Sequence, residues 1–370
     1  MLGNTFWMWP QGNPNIDFQE YFCNVSLQVV NEDGTREDQL GITITAQCFG
    51  RDDSCFAYPQ FNRLSGLLVG AGYTPGEDYR VAYYDWRQGP QALNRSGWMS
   101  AVVGLVEEMQ AALPEENNVV VIAHGAGCTH AYFLFAYVVD STWKDEHIQQ
   151  LILLGNSIFG GLPVTPVLAY LGTTSDWPDL GGPTLQWSWL GASDYSTWVL
   201  PDATVWASMG NLWYWSDGDF LAWNAAQLDD FGDFLGISQY WEYAIANNNY
   251  AYPGWASSHP GVNTTIICGD GLVTSPIRTE LFATVQQLYL INTTAGDNIV
   301  PLTTCSQISS WTSPAYSTEY FVVSGVPHEN LCCDPASRID WWQHIFRLRF
   351  RVQHRICHLL WWYWRIVGKE

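Results

Sequence analysis

The sequence predicts an α/β fold, a largely parallel sheet covered by helices and interrupted by a tryptophan-rich cap insertion. Short apolar, β-branched runs alternate with stretches of helical spacing from residue 79 to 154, and the rhythm returns from 262 to 324. That is the pattern of parallel strands joined by helical crossovers. A turn of small residues, Ala123-His124-Gly125-Ala126-Gly127, separates one such run from the helix after it. Between about 162 and 258, clusters of Gly, Pro and Trp with many Asp break the rhythm, as an insertion would.

Taken in order, residues 20 to 60 alternate apolar and polar side chains around Cys23, Cys48 and Cys55 and read as short strands and loops. Tyr79 to Trp86 is strand-like. Trp98 to Leu113 has apolar residues at helical spacing, with Glu107 and Glu108 on the wet side. Asn118 to Ile122 is a buried strand by its β-branched run, the helix after the turn extends to about Val139, and Gln149 to Leu154 is the next strand. In the insertion, Trp187, Trp189, Trp198, Trp206, Trp213, Trp215, Trp223, Trp241 and Trp255 are dense enough to favour a lid over an apolar pocket, since aromatic rings bury large areas yet keep polar edges. Val262 to Cys268, Leu288 to Asn292 and Tyr320 to Ser324 then supply three further strands. The expected division is 1–60, a first core part 61–161, the cap 162–258, a second core part 259–346 and a basic aromatic tail 347–370.

With 370 residues, 47% of them hydrophobic, the chain can bury a sizeable core. Its net charge of -21 is unevenly spread: residues 338–370 hold seven Arg or Lys against Asp340 and Glu370, which leaves the remainder at -26. An acidic body of this kind repels phosphates and argues against nucleic acid as a partner. Nine cysteines leave at least one unpaired in a monomer. Together with the sequons at Asn24, Asn94, Asn263 and Asn292, they point to a secreted or endomembrane glycoprotein. Met1 to Asn15 nevertheless lacks the basic start and unbroken apolar run of a signal peptide, and no apolar stretch of about twenty residues could span a bilayer. Residues 339–367 interleave aromatics with Arg. Such a segment can lie in a membrane interface with Arg toward anionic headgroups, or dock as a helix on the acidic body.

Strand, tight turn and helix around residues 123–127 form the context of the nucleophile elbow G-x-S-x-G, the signature of α/β-hydrolases. The elbow's central residue projects its side chain into the active site, and here that residue is Gly125, which has none. Downstream, Asp297 follows the run Leu288 to Asn292, and His328 follows Tyr320 to Ser324. Nucleophile, acid and histidine in that chain order match hydrolases of this type, with Asp297 fixing the imidazole tautomer and His328 as general base.

Tyr84-Asp85-Trp86-Arg87, the run Gly104 to Met109, Trp143-Lys144-Asp145, Leu154-Gly155 with Phe159-Gly160-Gly161, and Gly296-Asp297 with Val300 resemble the lecithin:cholesterol acyltransferase family, which includes lysosomal phospholipase/transacylases. The resemblance runs in order from about residue 20 to 346. It implies an α/β-hydrolase core with a cap and a lipid-facing surface, residues 1–60 being a remnant of the lid or membrane-binding region. It further implies transfer of a fatty acyl chain from phospholipid to a sterol, another alcohol or water through an acyl-serine, with no metal or diffusible cofactor. By similarity, Cys268 and Cys305 form a disulfide, Cys128 is a free thiol just after the elbow, and the Ala126 N–H is an oxyanion donor. Two departures stand out. Gly-His-Ser-Leu-Gly of the family is Ala123-His124-Gly125-Ala126-Gly127 here, and the family's first strand with its Pro-Gly turn, the source of a second oxyanion donor, precedes the region matching residue 20, so that this chain is expected to start after it. Cys128 and Thr129, three and four residues past the turn, should point away from the line of attack. Which of Cys23, Cys48, Cys55, Cys332, Cys333 and Cys357 pair stays open, Cys48 with Cys55 closing a plausible short loop. The resulting expectation is a lipid-ester protein that is catalytically degenerate, or else a non-catalytic lipid- or membrane-binding one.

Overall fold

A computed structural model describes residues 29–30, 36–37, 50, 59–85, 87–112, 118–160, 198, 200, 202, 206, 210–215, 221–236, 255–282 and 287–333. The basic tail, Cys23, Cys48, Cys55, Cys357, Asn24, Trp187, Trp189 and Trp241 lie outside them, and so does the side chain of Asn292.

Strands β1 (Val29–Val30) and β2 (Arg36–Glu37) make a short antiparallel pair. The centre is a four-stranded parallel sheet of β3 (Val119–His124), β4 (Ile148–Leu154), β7 (Thr264–Asp270) and β10 (Thr318–Ser324), in the order β10-β7-β4-β3. Side-chain alternation along the strands builds a core on both faces. Val119, Leu151, Leu153, Ile266 and Cys268 pack with helices Trp98–Ala111 and Ala126–Phe133. Ile152, Leu154, Ile267 and Val323 pack with helix Pro59–Gly70 and with Leu331, Cys332 and Cys333. Helix Trp98–Ala111 turns Met99, Val102, Leu105 and Val106 inward and leaves Glu107 and Glu108 exposed, as its spacing predicts.

Two expected strands turn out differently. Tyr79 to Trp86 forms no strand among the described residues. Tyr79 makes an isolated bridge to Pro75, Val81 O accepts from Gly50 N, and Tyr83 O accepts from the Trp98 indole, so extended backbone is held there without a ladder. Leu288 to Asn292 is in a strand, but not in the parallel sheet. It belongs to β9 (Gln287–Gly296), folded back antiparallel on β8 (Leu272–Phe282). The physical reason is length: only residues 283–286 join the two, and a parallel return needs a dozen residues or more.

This hairpin extends a second sheet, ordered β6-β5-β8-β9, through β5 (Asn211–Trp215) and β6 (Leu221–Asn224). Helix Leu228–Leu235 lays Leu228, Phe231 and Leu235 inward, and Phe231 stacks on Trp213 with 5.0 Å between ring centroids. Tryptophans of the 187–255 stretch are largely packing residues where they are described. Trp198, Trp206, Trp213, Trp223 and Trp255 are all buried, and Trp198 and Trp255 join Tyr132, Phe133 and Trp311 in one aromatic cluster against the helix after the elbow.

The motifs that carry the family resemblance are largely scaffold. Arg87, 1% exposed, forms a two-pronged ion pair with Asp85 at 2.6 Å, and Tyr84 packs edge-on to Trp98 and His130. Lys144 Nζ donates to the carbonyls of Phe135 (3.0 Å) and Pro260 (3.1 Å), bracing a π-helical turn, Leu134–Val138, against the segment entering β7. On either side, Trp143 donates to Glu107 and Asp145 accepts from the Tyr316 hydroxyl.

Candidate active site

All four parallel strands end on one edge, where ligands bind in open α/β sheets. Gly125 follows β3, Gly155 follows β4, Gly269 and Asp270 close β7, and His328 lies four residues beyond β10.

The turn keeps the conformation of an elbow. Gly125 has φ 54° and ψ -119°, a region that side-chain-bearing residues rarely occupy, and it immediately precedes helix Ala126–Phe133. Its N–H donates to Leu154 O on the neighbouring strand, and its carbonyl accepts from Cys128 N. A Cβ on Gly127 would lie 4.0 Å from that of Ala123, an ordinary contact, so close packing alone does not demand glycine there.

Asp297 and His328 meet. His328 Nδ1 donates to Asp297 Oδ2 at 2.7 Å, and the two residues are 5% and 1% exposed, which puts the pair out of bulk water. Asp297 Oδ1 accepts from the backbone N–H groups of Ile299 (3.1 Å) and Val300 (2.7 Å), while its carbonyl accepts from His328 N. The tight turn behind this carboxylate puts Asn298 at φ 72°, with its N–H on Thr274 Oγ1. In the neutral imidazole, an Nδ1–H held by Asp297 leaves the lone pair on Nε2.

Nε2 faces Gly125. A Cβ built on Gly125 would come within 2.8 Å of His328 Nε2, closer than a real Cβ tolerates. The imidazole therefore fills space that a side chain at 125 would need. Cys128 is a fully buried thiol, aimed back at the carbonyls of Ala123 (3.4 Å) and Leu154 (3.5 Å), and burial pushes its pKa up. Thr129 is fully buried as well. Ala126 heads the helix, where N–H groups point out to receive negative charge.

Two further residues shape the site, and sequence reasoning gave them no role. His124 donates from Nε2 to His328 O at 2.8 Å, its ring 4.5 Å from that of His328; burial, and after it the neighbouring His328, lower its pKa to about 3 and keep it neutral. Gly155, with φ 56°, lets the histidine in, since a Cβ there would meet Nδ1 at 2.7 Å and Leu331 Cδ1 at 2.9 Å. Both had a signal available, as His124 shares its place with the family's Gly-His-Ser-Leu-Gly and Gly155 lies in a matching Leu-Gly pair. Behind the acid loop, the disulfide implied by resemblance is present between Cys268 and Cys305. Among the described residues no group of His, Cys, Asp or Glu could hold a metal ion, and no helix is long and apolar enough to cross a membrane.

The family model for lecithin:cholesterol acyltransferase matches residues 21–254. Phosphatidylcholine-sterol acyltransferase of Mus musculus is 31% identical over 191 residues, 50% of this chain and 42% of that protein. Lysosomal phospholipase A and acyltransferase of Rattus norvegicus is 33% identical over 148 residues, 40% of this chain and 34% of that protein. The matched stretch thus spans less than half the length of these curated relatives.

Proposed function

The chain belongs to the lecithin:cholesterol acyltransferase family, and from that premise we propose that it serves lipid metabolism by engaging a phospholipid or related lipid ester at a degenerate acyl-transfer site. Its relatives bear the names of a phosphatidylcholine-sterol acyltransferase and of a lysosomal phospholipase A and acyltransferase, so a phospholipid ester is the substrate class to expect. The observation that carries the reading is an elbow that keeps its strained backbone at Gly125 while Asp297 and His328 stay hydrogen-bonded beside it.

In a serine-bearing site of this shape, His328 would take the hydroxyl proton, Asp297 would hold the imidazole in the required tautomer, and the Ala126 N–H would receive the charge on the carbonyl oxygen. Without an oxygen at 125, the first covalent bond of that sequence has no donor. Loss of the serine from such a unit costs on the order of 10⁶ in turnover. Binding depends on the cap and lipid-facing surfaces instead, which the loss leaves in place. We assign that lipid contact to residues 162–258 and to the basic tail 347–370, and place the protein in a secreted or endomembrane/lysosomal setting, where a disulfide such as Cys268–Cys305 persists.

Phosphatidylcholine vesicles test the reading directly. The protein should sediment with them, release no labelled fatty acid and form no acyl-sterol, and a fluorophosphonate probe should leave the elbow unlabelled. Turnover of phosphatidylcholine accompanied by probe labelling at another residue would overturn it. Removing residues 347–370 should weaken sedimentation; undiminished binding rejects the tail as the anchor.

A further inference from the structure

Imidazole is itself a nucleophile toward acyl groups, and three features of the site bear on His328 in that role. The first is position. Nε2 lies 2.8 Å from where a Cβ of residue 125 would stand, so the ring stands against Gly125, the residue that caps helix Ala126–Phe133. The second is hydrogen bonding: Nδ1 is committed to Asp297 Oδ2 at 2.7 Å, and among the described residues Nε2 makes no hydrogen bond, so the neutral imidazole with its proton on Nδ1 has its lone pair free for attack. The third is competition. The Cys128 thiol is buried beneath the turn, and His124 Nε2 is spent on the His328 carbonyl.

We infer that His328 Nε2 accepts acyl groups directly from activated donors, thioesters and aryl esters, and passes them to water. The inference rests on the reading of Gly125 as a lost serine and extends it to a chemistry that needs none. The Nε2 lone pair attacks the acyl carbon, and the oxyanion that forms is received by the Ala126 N–H. The C–S or C–O(aryl) bond then breaks, its electron pair leaving as thiolate or phenolate, while the acyl group stays on Nε2 and the Asp297 carboxylate offsets the imidazolium charge through Nδ1–H. Water adds to the acyl carbon and gives up a proton to the departed anion through solvent. The C–N bond breaks, its pair returns to Nε2, and a carboxylic acid is released. Thioester and water become acid and thiol, with no oxidant, reductant or cofactor.

The same chemistry sets the substrate class. A thiol has a pKa of about 8.5 and a phenol about 10, so either leaves as its anion. The alkoxide of a glycerolipid leaves about as poorly as hydroxide, the conjugate base of water with pKa about 15.7. A histidine that already carries the acyl group cannot also protonate that alkoxide, as the general base of a serine site does on the way back. Attack on a lipid oxygen ester therefore reverts, and attack on a thioester goes forward.

The experiment uses the whole chain with p-nitrophenyl acetate, the S-acetyl thioester of N-acetylcysteamine, and ethyl acetate as the alkyl control. Nitrophenolate and free thiol should appear, falling by at least about tenfold in His328→Gln and holding in Cys128→Ala, with ethyl acetate at background. Mass spectrometry of the acid-quenched, unaltered chain should find acetyl on the peptide containing His328, a readout that does not depend on how well a variant folds. Acetyl on any other residue, thioester cleavage undiminished in His328→Gln, or equal cleavage of ethyl acetate would overturn the inference. Vesicle binding without any His328 adduct removes this inference and leaves the lipid-binding reading; an adduct without vesicle binding does the reverse.

Discussion

Single residues decide this site, and glycine decides most of it. Gly155→Ala would push a methyl group to 2.7 Å from His328 Nδ1 and 2.9 Å from Leu331, at a φ of 56°. Expected is a loss of about 1–3 kcal/mol in urea unfolding, together with displacement of the imidazole signals in NMR spectra. Gly125→Ser supplies a hydroxyl but not the room for it, because its Cβ and the Nε2 atom would lie 2.8 Å apart while Asp297 holds the far side of the ring. It should cost about 1–3 kcal/mol in stability through strain at φ 54° and leave phosphatidylcholine turnover near background. Strong fluorophosphonate labelling of the new serine would show instead that the ring retreats without leaving Asp297. At this scale Gly125, Asp297 and His328 are legible in the sequence because each occupies a motif position with its own chemistry. The advance of His328 into the turn is not, since it depends on the distance between groups 203 residues apart, which no local pattern encodes.

Among the elements, helices follow their own periodicity while strands depend on partners. Helix Trp98–Ala111 is within two residues of its expected bounds, because spacing of apolar residues and i→i−4 bonding are both local. Within it Gly104 is exposed, with open space where a Cβ would go, so Gly104→Ala should stabilise the protein by about 0.5–1 kcal/mol, read as a raised midpoint in denaturant. Tyr79 to Trp86 has a strand-like composition but no ladder among the described residues, and Leu288 to Asn292 has the right composition for the parallel sheet yet pairs with its own chain neighbour. A strand is defined by what lies beside it, which composition does not record. The Trp143-Lys144-Asp145 segment is a brace between elements: Lys144→Met removes two hydrogen bonds to the carbonyls of Phe135 and Pro260, and about 1–3 kcal/mol should be lost as those acceptors go unsatisfied. Faster hydrogen exchange in 134–138 than elsewhere in the core would locate the loss.

For the molecule as a whole, buried histidines set the response to acid. Burial lowers the pKa of both His124 and His130 from 6.5 to about 3. Between those values the unfolded chain binds protons that the folded chain refuses, so each histidine withdraws stability as pH falls from about 6.5 toward 3, by up to roughly 1.4 kcal/mol per pH unit. Thermal midpoints should drop across that window, and His130→Phe should flatten the slope; an unchanged slope would mean that another group carries it. By itself the sequence determined the class of fold, the order of Gly125, Asp297 and His328 along the chain, and the charge of the tail, because periodicity, motif order and charge are properties of the chain. Tertiary structure alone decided that the parallel sheet excludes residues 287–296, that most described tryptophans between 187 and 255 are buried, and that His328 closes on Gly125. Each of those depends on which distant residues share a few ångströms of space, and the packing of the whole chain settles that.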